Sequence, residues 1–341
     1  MKKHILISFV LLIILTLSSG CGEATVPEIG TIKAGYIPSL GFAPLFVGVE
    51  KGYFEEQGLQ VELQSFTSGS TMISLLSTGD LDVGAGETGT ALFNAIHQDL
   101  DVVVVGGLAS QPVGFGAVPL LVRTDLYNSG EITKPFDLNG KTVALNVERG
   151  MAEYLLSEAL RQDSLTVDDV TLVPMPFPDI PTAFANSAID AAMLPHPLAA
   201  RAIGSGDAVV MLDGDEIIDN PQNGVIYFGQ RFLDEKNKEV GVRFFVAYLN
   251  AVRDLYGDGW LSADNIAAIH EYTGMPESTI EKSVTYYFDP DASINRGSVE
   301  RIQQYLVSRG YTEYSELIPI SNIIDLQYLV EALERVGEFE K

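Results

Sequence analysis

From Thr31 to Leu108 apolar residues recur in two alternating rhythms, one of period two and one of three to four, and each change of rhythm marks a new element. Ile32-Lys33-Ala34-Gly35-Tyr36-Ile37 predicts a strand, after which Phe42, Leu45, Phe46, Val49 and Tyr53 recur at helical spacing. Pro44 falls near the first turn of that helix, where a missing N–H costs nothing. Leu59 to Phe66 predicts a second strand, Ser70 to Ser77 a short helix and Leu81 to Ala85 a third strand. Thr90 to His97 predicts a helix and Val102 to Val105 a further strand. Continuous valine runs after helices predict parallel strands buried on both faces.

The same grammar repeats from about Leu120. Strands are predicted at Lys141 to Asn146, Val170 to Val173, Asp190 to Leu194 and Ala208 to Leu212, with helices at Met151 to Gln162, Pro181 to Ser187 and Leu198 to Ile203. Beyond Gly224 to Phe228 only helical stripes remain: Phe244 to Leu255, Ile266 to Tyr272, Ile280 to Tyr287, Val299 to Val307 and Ile323 to Leu333. Two α/β units with a helical tail admit either consecutive domains or one domain interrupted by another. Gly116 to Arg123 and Gly224 to Gln230 are extended, apolar and flanked by glycine, as two crossing strands would be, and the hinges are placed there. The expected division is residues 31–119 with 224–341 in one lobe and 120–223 in the other.

Composition narrows the partners. Against 46 acidic side chains stand 21 basic ones, a formal charge of −25, which argues against nucleic acid because neutralising phosphates needs a positive surface. With one cysteine, Cys21, no intramolecular disulfide and no thiolate metal cage can form. His97 and His270 have no partner at ligand spacing, so no metal site is expected.

Lys2 and Lys3 precede the apolar run Ile5 to Leu17, which as a helix reaches only about 20 Å, short of the roughly 30 Å hydrocarbon core. Residues 1–20 therefore read as a secretory signal. Leu17-Ser18-Ser19-Gly20-Cys21 resembles a bacterial lipobox, in which the cysteine is lipidated; here Ser18 stands where an aliphatic residue is usual. An ordinary signal with an incidental cysteine is the other reading. Lipidation of Cys21, a flexible tether over residues 21–30 and an extracytoplasmic body held at the cell membrane are expected.

Ligands of open α/β sheets sit outside the carboxyl ends of strands, where helix N-termini present free N–H groups. Ser39, Leu40 and Phe42 follow the first predicted strand, Ser68, Ser70 and Thr71 the second, and Glu87 and Thr88 the third. These serines and threonines suit ligand contact or plain N-capping. The corresponding loops of the second unit carry Arg149, Gly150 and Met151, then Asp179, then His196. Arg149 could clamp an anion or simply pair with Glu148 in solvent, and His196, between two prolines, could face the cleft or cap the next helix.

Tyr36-Ile37-Pro38-Ser39-Leu40-Gly41-Phe42-Ala43-Pro44, Glu50-Lys51-Gly52-Tyr53-Phe54, Ser68-Gly69-Ser70 and Gly79-Asp80-Leu81-Asp82-Val83-Gly84 occur in that order. This succession resembles the substrate-binding proteins of ABC importers in the sulfonate, nitrate, thiamine-pyrimidine-precursor and riboflavin superfamily. The resemblance implies a type II periplasmic-binding-protein fold: two α/β lobes joined by two crossing strands, a helical C-terminal region packed on the first lobe, and a cleft that closes on ligand. It further implies a monomer that delivers its solute to two permease subunits and two ATPases, with no cofactor and no catalytic residue.

Among the predicted cleft loops only Arg149 offers a cation, whereas Glu87 and Asp179 would repel a sulfonate or nitrate. Phe42, Phe66, Phe115, Phe177 and Tyr227 could stack on a heteroaromatic face. The expected solute is a vitamin-like heterocycle such as riboflavin or a thiamine pyrimidine precursor, with alkanesulfonate or nitrate as the alternative. The fold also resembles that of menaquinone-pathway enzymes and a histidine-consuming pyrimidine synthase, so an exported enzyme on a small heterocycle is the alternative of another class. A sensor subunit is a third reading and would need a signalling domain.

Overall fold

The computed structural model describes residues 30–284 and 286–340; the predicted signal and Cys21 lie outside them. Ten strands are described: β1 (Ile32–Tyr36), β2 (Val61–Ser65), β3 (Val83–Gly86), β4 (Val102–Gly107), β5 (Leu120–Arg123), β6 (Thr142–Leu145), β7 (Thr171–Pro174), β8 (Ala191–Met193), β9 (Ala208–Leu212) and β10 (Val225–Gly229). They form two five-stranded sheets in the orders β2-β1-β3-β10-β4 and β7-β6-β8-β5-β9. The two-lobed periplasmic-binding fold expected from the sequence is the fold observed.

Each sheet owes its mixed character to a strand that arrives from the other lobe. β1 pairs in parallel with β2 and β3, and β6 with β7 and β8. β10 runs antiparallel between β3 and β4, and β5 antiparallel between β8 and β9. This corrects the reading of the valine run: β4 bonds to the antiparallel β10, with Ile324 bridging Val104 on its other side. Valines report burial, which Val102, Val104 and Val105 have, and not the direction of the neighbour.

The two crossing segments lie side by side. The Leu108 N–H donates to the Gly224 carbonyl, the Gly224 N–H to Ala109 and the Gln111 N–H to Pro221, at 3.0, 3.0 and 3.1 Å. Gln222 adds side-chain bonds to the carbonyls of Ala109 and Gly224.

Helices α1 (Ala43–Glu50), α2 (Gly69–Thr78) and α3 (Thr90–His97) flank the first sheet, and α4 (Met151–Arg161) and α5 (Leu198–Gly204) the second. The tail supplies α6 (Lys238–Asp254), α7 (Ala263–Thr273), α8 (Arg296–Ser308) and α9 (Gln327–Val336). α6 buries Phe244, Phe245, Tyr248 and Leu249 against α1 and the first sheet, and each such side chain removed from water contributes about 1.5–3 kcal/mol. α8 also reaches the second lobe, where Tyr305 donates to Glu153 of α4 at 2.7 Å.

One predicted helix is absent. Among the described residues of the stretch 280–287 only Ile280 is helical, at the end of a turn Glu277–Ile280, and Tyr287 instead bridges Ser110 of the first crossing segment. A short apolar run carries no period strong enough to separate these outcomes, and here the crossing segments provide the surface that buries it. No helix among the described residues is long and apolar enough to cross a membrane.

Candidate functional site

Strand ends from both sheets converge on a cleft, as the general rule for open α/β sheets requires. Its inner chamber holds about 670 Å3 of space, part of it open to solvent. Ser39 and Phe42 reach it from the loop after β1, Glu87 from the end of β3, Asn146 and Met151 from the β6–α4 loop, and Phe177 and Pro195 from the loops after β7 and β8. Leu108, Ala109 and Asn223 come from the crossing segments and Tyr286 from the stretch misread as a helix. The walls are mainly apolar and aromatic, and no lysine, arginine or histidine side chain lines this chamber.

Its polar groups are few. Oδ1 of Asn146 and Nδ2 of Asn223 are buried without a hydrogen-bond partner, while Asn223 Oδ1 accepts from Gln111 at 3.1 Å. Glu87 is half-buried, and its Oε2 accepts from the Met151 N–H at the start of α4 at 3.1 Å. Burial pushes its carboxyl up from the ordinary 4.5 to about 7, and the Met151 N–H offsets only part of that. The Cβ of any residue replacing Gly150 would lie 2.7 Å from Glu87 Oε1, so glycine there lets the carboxyl approach the helix end. Nearby, Thr90 Oγ1 donates to the Arg149 carbonyl at 2.9 Å, a second bond across the lobes.

An outer chamber of about 720 Å3 adjoins the first and shares Ile37, Ser39, Phe177 and Pro195 with it. His196 lies in its wall, 5% exposed, and burial holds the imidazole neutral by lowering its pKa from 6.5 to about 4. The His196 N–H donates to Ala117 at 2.9 Å and its carbonyl accepts from the Tyr286 hydroxyl at 3.1 Å, which pins the residue between the lobes.

The structure thus brings Ser39, Phe42, Glu87 and Met151 to the inner chamber and His196 to the outer one. Other candidates fall elsewhere. Leu40 is core, and Thr88 is fully buried behind the wall with its hydroxyl unpartnered. Ser68 and Ser70 bond each other at 2.9 Å and Thr71 turns back to the Ser68 carbonyl, so these residues serve the first turn of α2. Asp179 is exposed and lines neither chamber. Tyr227 has no surface: it lies under Glu87 and donates its hydroxyl to the Glu87 carbonyl. Arg149 is exposed, its guanidinium in a cation–π contact 4.9 Å from the ring of Tyr311, and with Ser70, Glu87 and Gly150 it lines a third pocket between the lobes. Gly150 serves by having no side chain.

Sequence reasoning missed Asn146, Asn223 and Tyr286. Asn146 ends a predicted strand and Asn223 precedes a predicted crossing glycine, both available signals; Tyr286 sat inside an apolar stripe and gave none. Among the described residues no histidine, cysteine and carboxylate group is arranged to hold a metal ion.

A family model described as NMT1/THI5 like matches residues 39–258. The chain is 25% identical over 303 residues to the putative binding protein YtlA of Bacillus subtilis, spanning 84% of this chain and 85% of that one. It is 25% identical over 236 residues to the taurine-binding periplasmic protein of Escherichia coli, covering 67% and 68% of the two chains. With the riboflavin-binding protein RibY of Chloroflexus aurantiacus identity is 26% over 232 residues, 66% and 61%. The alkanesulfonate-binding protein SsuA from Xanthomonas axonopodis superposes with a TM-score of 0.67 at 18% identity over 87% of this chain and 98% of its own. The desulfurization enzyme DszB does so with a TM-score of 0.61 at 18% identity, over 90% and 99%. At such identities the structural likeness concerns the fold.

Proposed function

This chain belongs to the NMT1/THI5-like family, and from that premise we propose that it is the solute-binding lipoprotein of an ABC importer, closing two lobes on a small uncharged heteroaromatic solute. Relatives named as binding proteins support the class and give no support to an enzyme. The observation that carries the ligand chemistry is the inner chamber: aromatic walls, a buried amide acceptor and a buried amide donor without partners, one carboxyl, and no cationic side chain.

A sulfonate or nitrate brings a full negative charge, and removing that charge from water without a compensating partner costs several kcal/mol. Glu87 adds repulsion whenever it is ionised. A flavin or pyrimidine edge, by contrast, presents ring N–H and carbonyl groups that match Asn146 Oδ1 and Asn223 Nδ2, and its faces suit Phe42, Phe177 and Tyr286. Closure pivots on the paired segments 108–111 and 221–224, Cys21 carries the lipid, and the loaded monomer docks on the permease.

A thermal-shift screen of the purified protein with riboflavin, aminopyrimidines, taurine, longer alkanesulfonates and nitrate tests this reading. Saturation at 100 times Kd stabilises by about 2.7 kcal/mol, a readily measured shift. Stabilisation by a heterocycle recovered unchanged is expected. Stabilisation by sulfonates alone would overturn the ligand chemistry, and conversion of the heterocycle on incubation would overturn the transport role.

A further inference from the structure

We propose that the outer chamber is a second subsite of the same cleft, which takes the uncharged, hydroxyl-bearing tail of an elongated ligand whose flat ring fills the inner chamber. This inference rests on the heteroaromatic reading of the inner chamber and extends it to the shape of the whole ligand.

The two chambers adjoin, with Ile37, Ser39, Phe177 and Pro195 common to both walls, so a ring in the inner one lies next to the outer space. A bare pyrimidine would leave the outer chamber unfilled, whereas ligands normally cover most of the walls of their site. Phe66 and Phe177 supply apolar walls there, and Ser65 and Thr67 stand at the rim.

The polar anchor is His196. Its residue is 95% removed from solvent and lies in the chamber wall, where no hydrogen bond engages the imidazole: Nδ1 is sealed off without a partner, and the ring's remaining surface is what a ligand meets. Both its backbone groups are already engaged, by Ala117 and by Tyr286, so the main chain that carries the ring is fixed before any ligand enters. No lysine, arginine, aspartate or glutamate lines the outer chamber, which leaves a charged tail without a counter-ion. A hydroxyl both donates and accepts, and so satisfies the imidazole in either tautomer.

Riboflavin, a flavin ring with a polyhydroxylated chain, and lumichrome, a related ring without the chain, separate the two chambers. Their affinities are measured by fluorescence quenching on the wild-type protein, His196→Leu and Thr67→Trp. The wild type is expected to hold riboflavin about tenfold more tightly than lumichrome, and His196→Leu to lose roughly three- to tenfold for riboflavin with lumichrome unchanged. Thr67→Trp places bulk at an exposed rim position, so it keeps the test alive if the His196 variant fails to fold; it should erase the preference for the tailed compound. Equal wild-type affinity for the two rings, or equal losses in both variants, overturns the subsite alone. Failure of both rings to bind where an aminopyrimidine does bind overturns this inference alone; failure of every heterocycle overturns the reading of the inner chamber and this inference with it.

Discussion

The Met151 N–H donates to Glu87 Oε2 across the cleft at 3.1 Å, so a carboxyl from the end of β3 in one lobe sits on the N-terminus of α4 in the other. A helix N-terminus of this kind is a natural seat for an anion, and here the chain fills it with its own acid. The bond ties the lobes together and places a negative group where a sulfonate would otherwise find N–H donors. Gly150 makes the approach possible, because a Cβ there would crowd the same carboxyl.

Glu87 and His196 titrate over overlapping pH ranges with opposite signs. The folded protein holds the Glu87 proton up to about pH 7 where the unfolded chain releases it near 4.5, so acidification through that window stabilises the fold. The folded protein keeps His196 neutral down to about pH 4 where the unfolded chain protonates it near 6.5, so the same acidification destabilises. The two contributions nearly cancel in the wild type. Glu87→Gln should therefore lose Tm steadily from pH 7 to pH 4.5 relative to wild type, and His196→Gln should gain it, by up to about 3 kcal/mol each. Thermal melts across that range check both; parallel curves for the three proteins would contradict the assignment.

Tyr227→Phe removes the hydroxyl that satisfies the buried Glu87 carbonyl. Leaving that acceptor unpaired should cost about 1–3 kcal/mol, read as a lower urea midpoint with an unchanged slope. Because Tyr227 lies beneath the wall, ligand affinity should fall only as far as Glu87 shifts. A variant as stable as wild type would show that the contact contributes nothing.

Arg149→Gly tests the residue the sequence offered as an anion clamp. The substitution gives up the cation–π contact with Tyr311, worth about 0.5–1 kcal/mol at an exposed site, and relieves a left-handed backbone at φ 62° by a similar amount. Net stability should change by less than about 0.5 kcal/mol, and affinity for the bound solute by less than about twofold. Loss of binding in a titration would make Arg149 a ligand contact.

What was legible in the sequence follows from the range of the forces involved. The periods of two and of three to four report local burial, and they located β1, α3, α4 and β9 to within a residue or two. The partner of β4 was not legible, because the strand that pairs with it arrives after an excursion through the whole second lobe. Glu87 was readable as a strand-end residue, yet its partner at the head of α4 was not. The contact of Arg149 with Tyr311 was hidden for the same reason, since Tyr311 belongs to the chain beyond α8. The resemblance carried what local pattern could not: it supplied the lobes and the cleft, and the residues then had to be placed within them one at a time.

Cys21 lies outside the described residues, so its role is tested by fractionation. The proposed lipidation site precedes the residues that form the cleft, which begin at Ile37, so anchoring and binding are separable. Each buried methylene of a lipid chain contributes about 0.8 kcal/mol of membrane affinity, and stable attachment needs more than one chain. The wild-type protein should therefore remain with membranes after a high-salt wash, which strips proteins held by charge but not by acyl chains. Cys21→Ser should appear in the soluble fraction with its solute affinity unchanged. A Cys21→Ser protein that stays with the membrane after the wash would show that something other than a lipid on that cysteine holds it there.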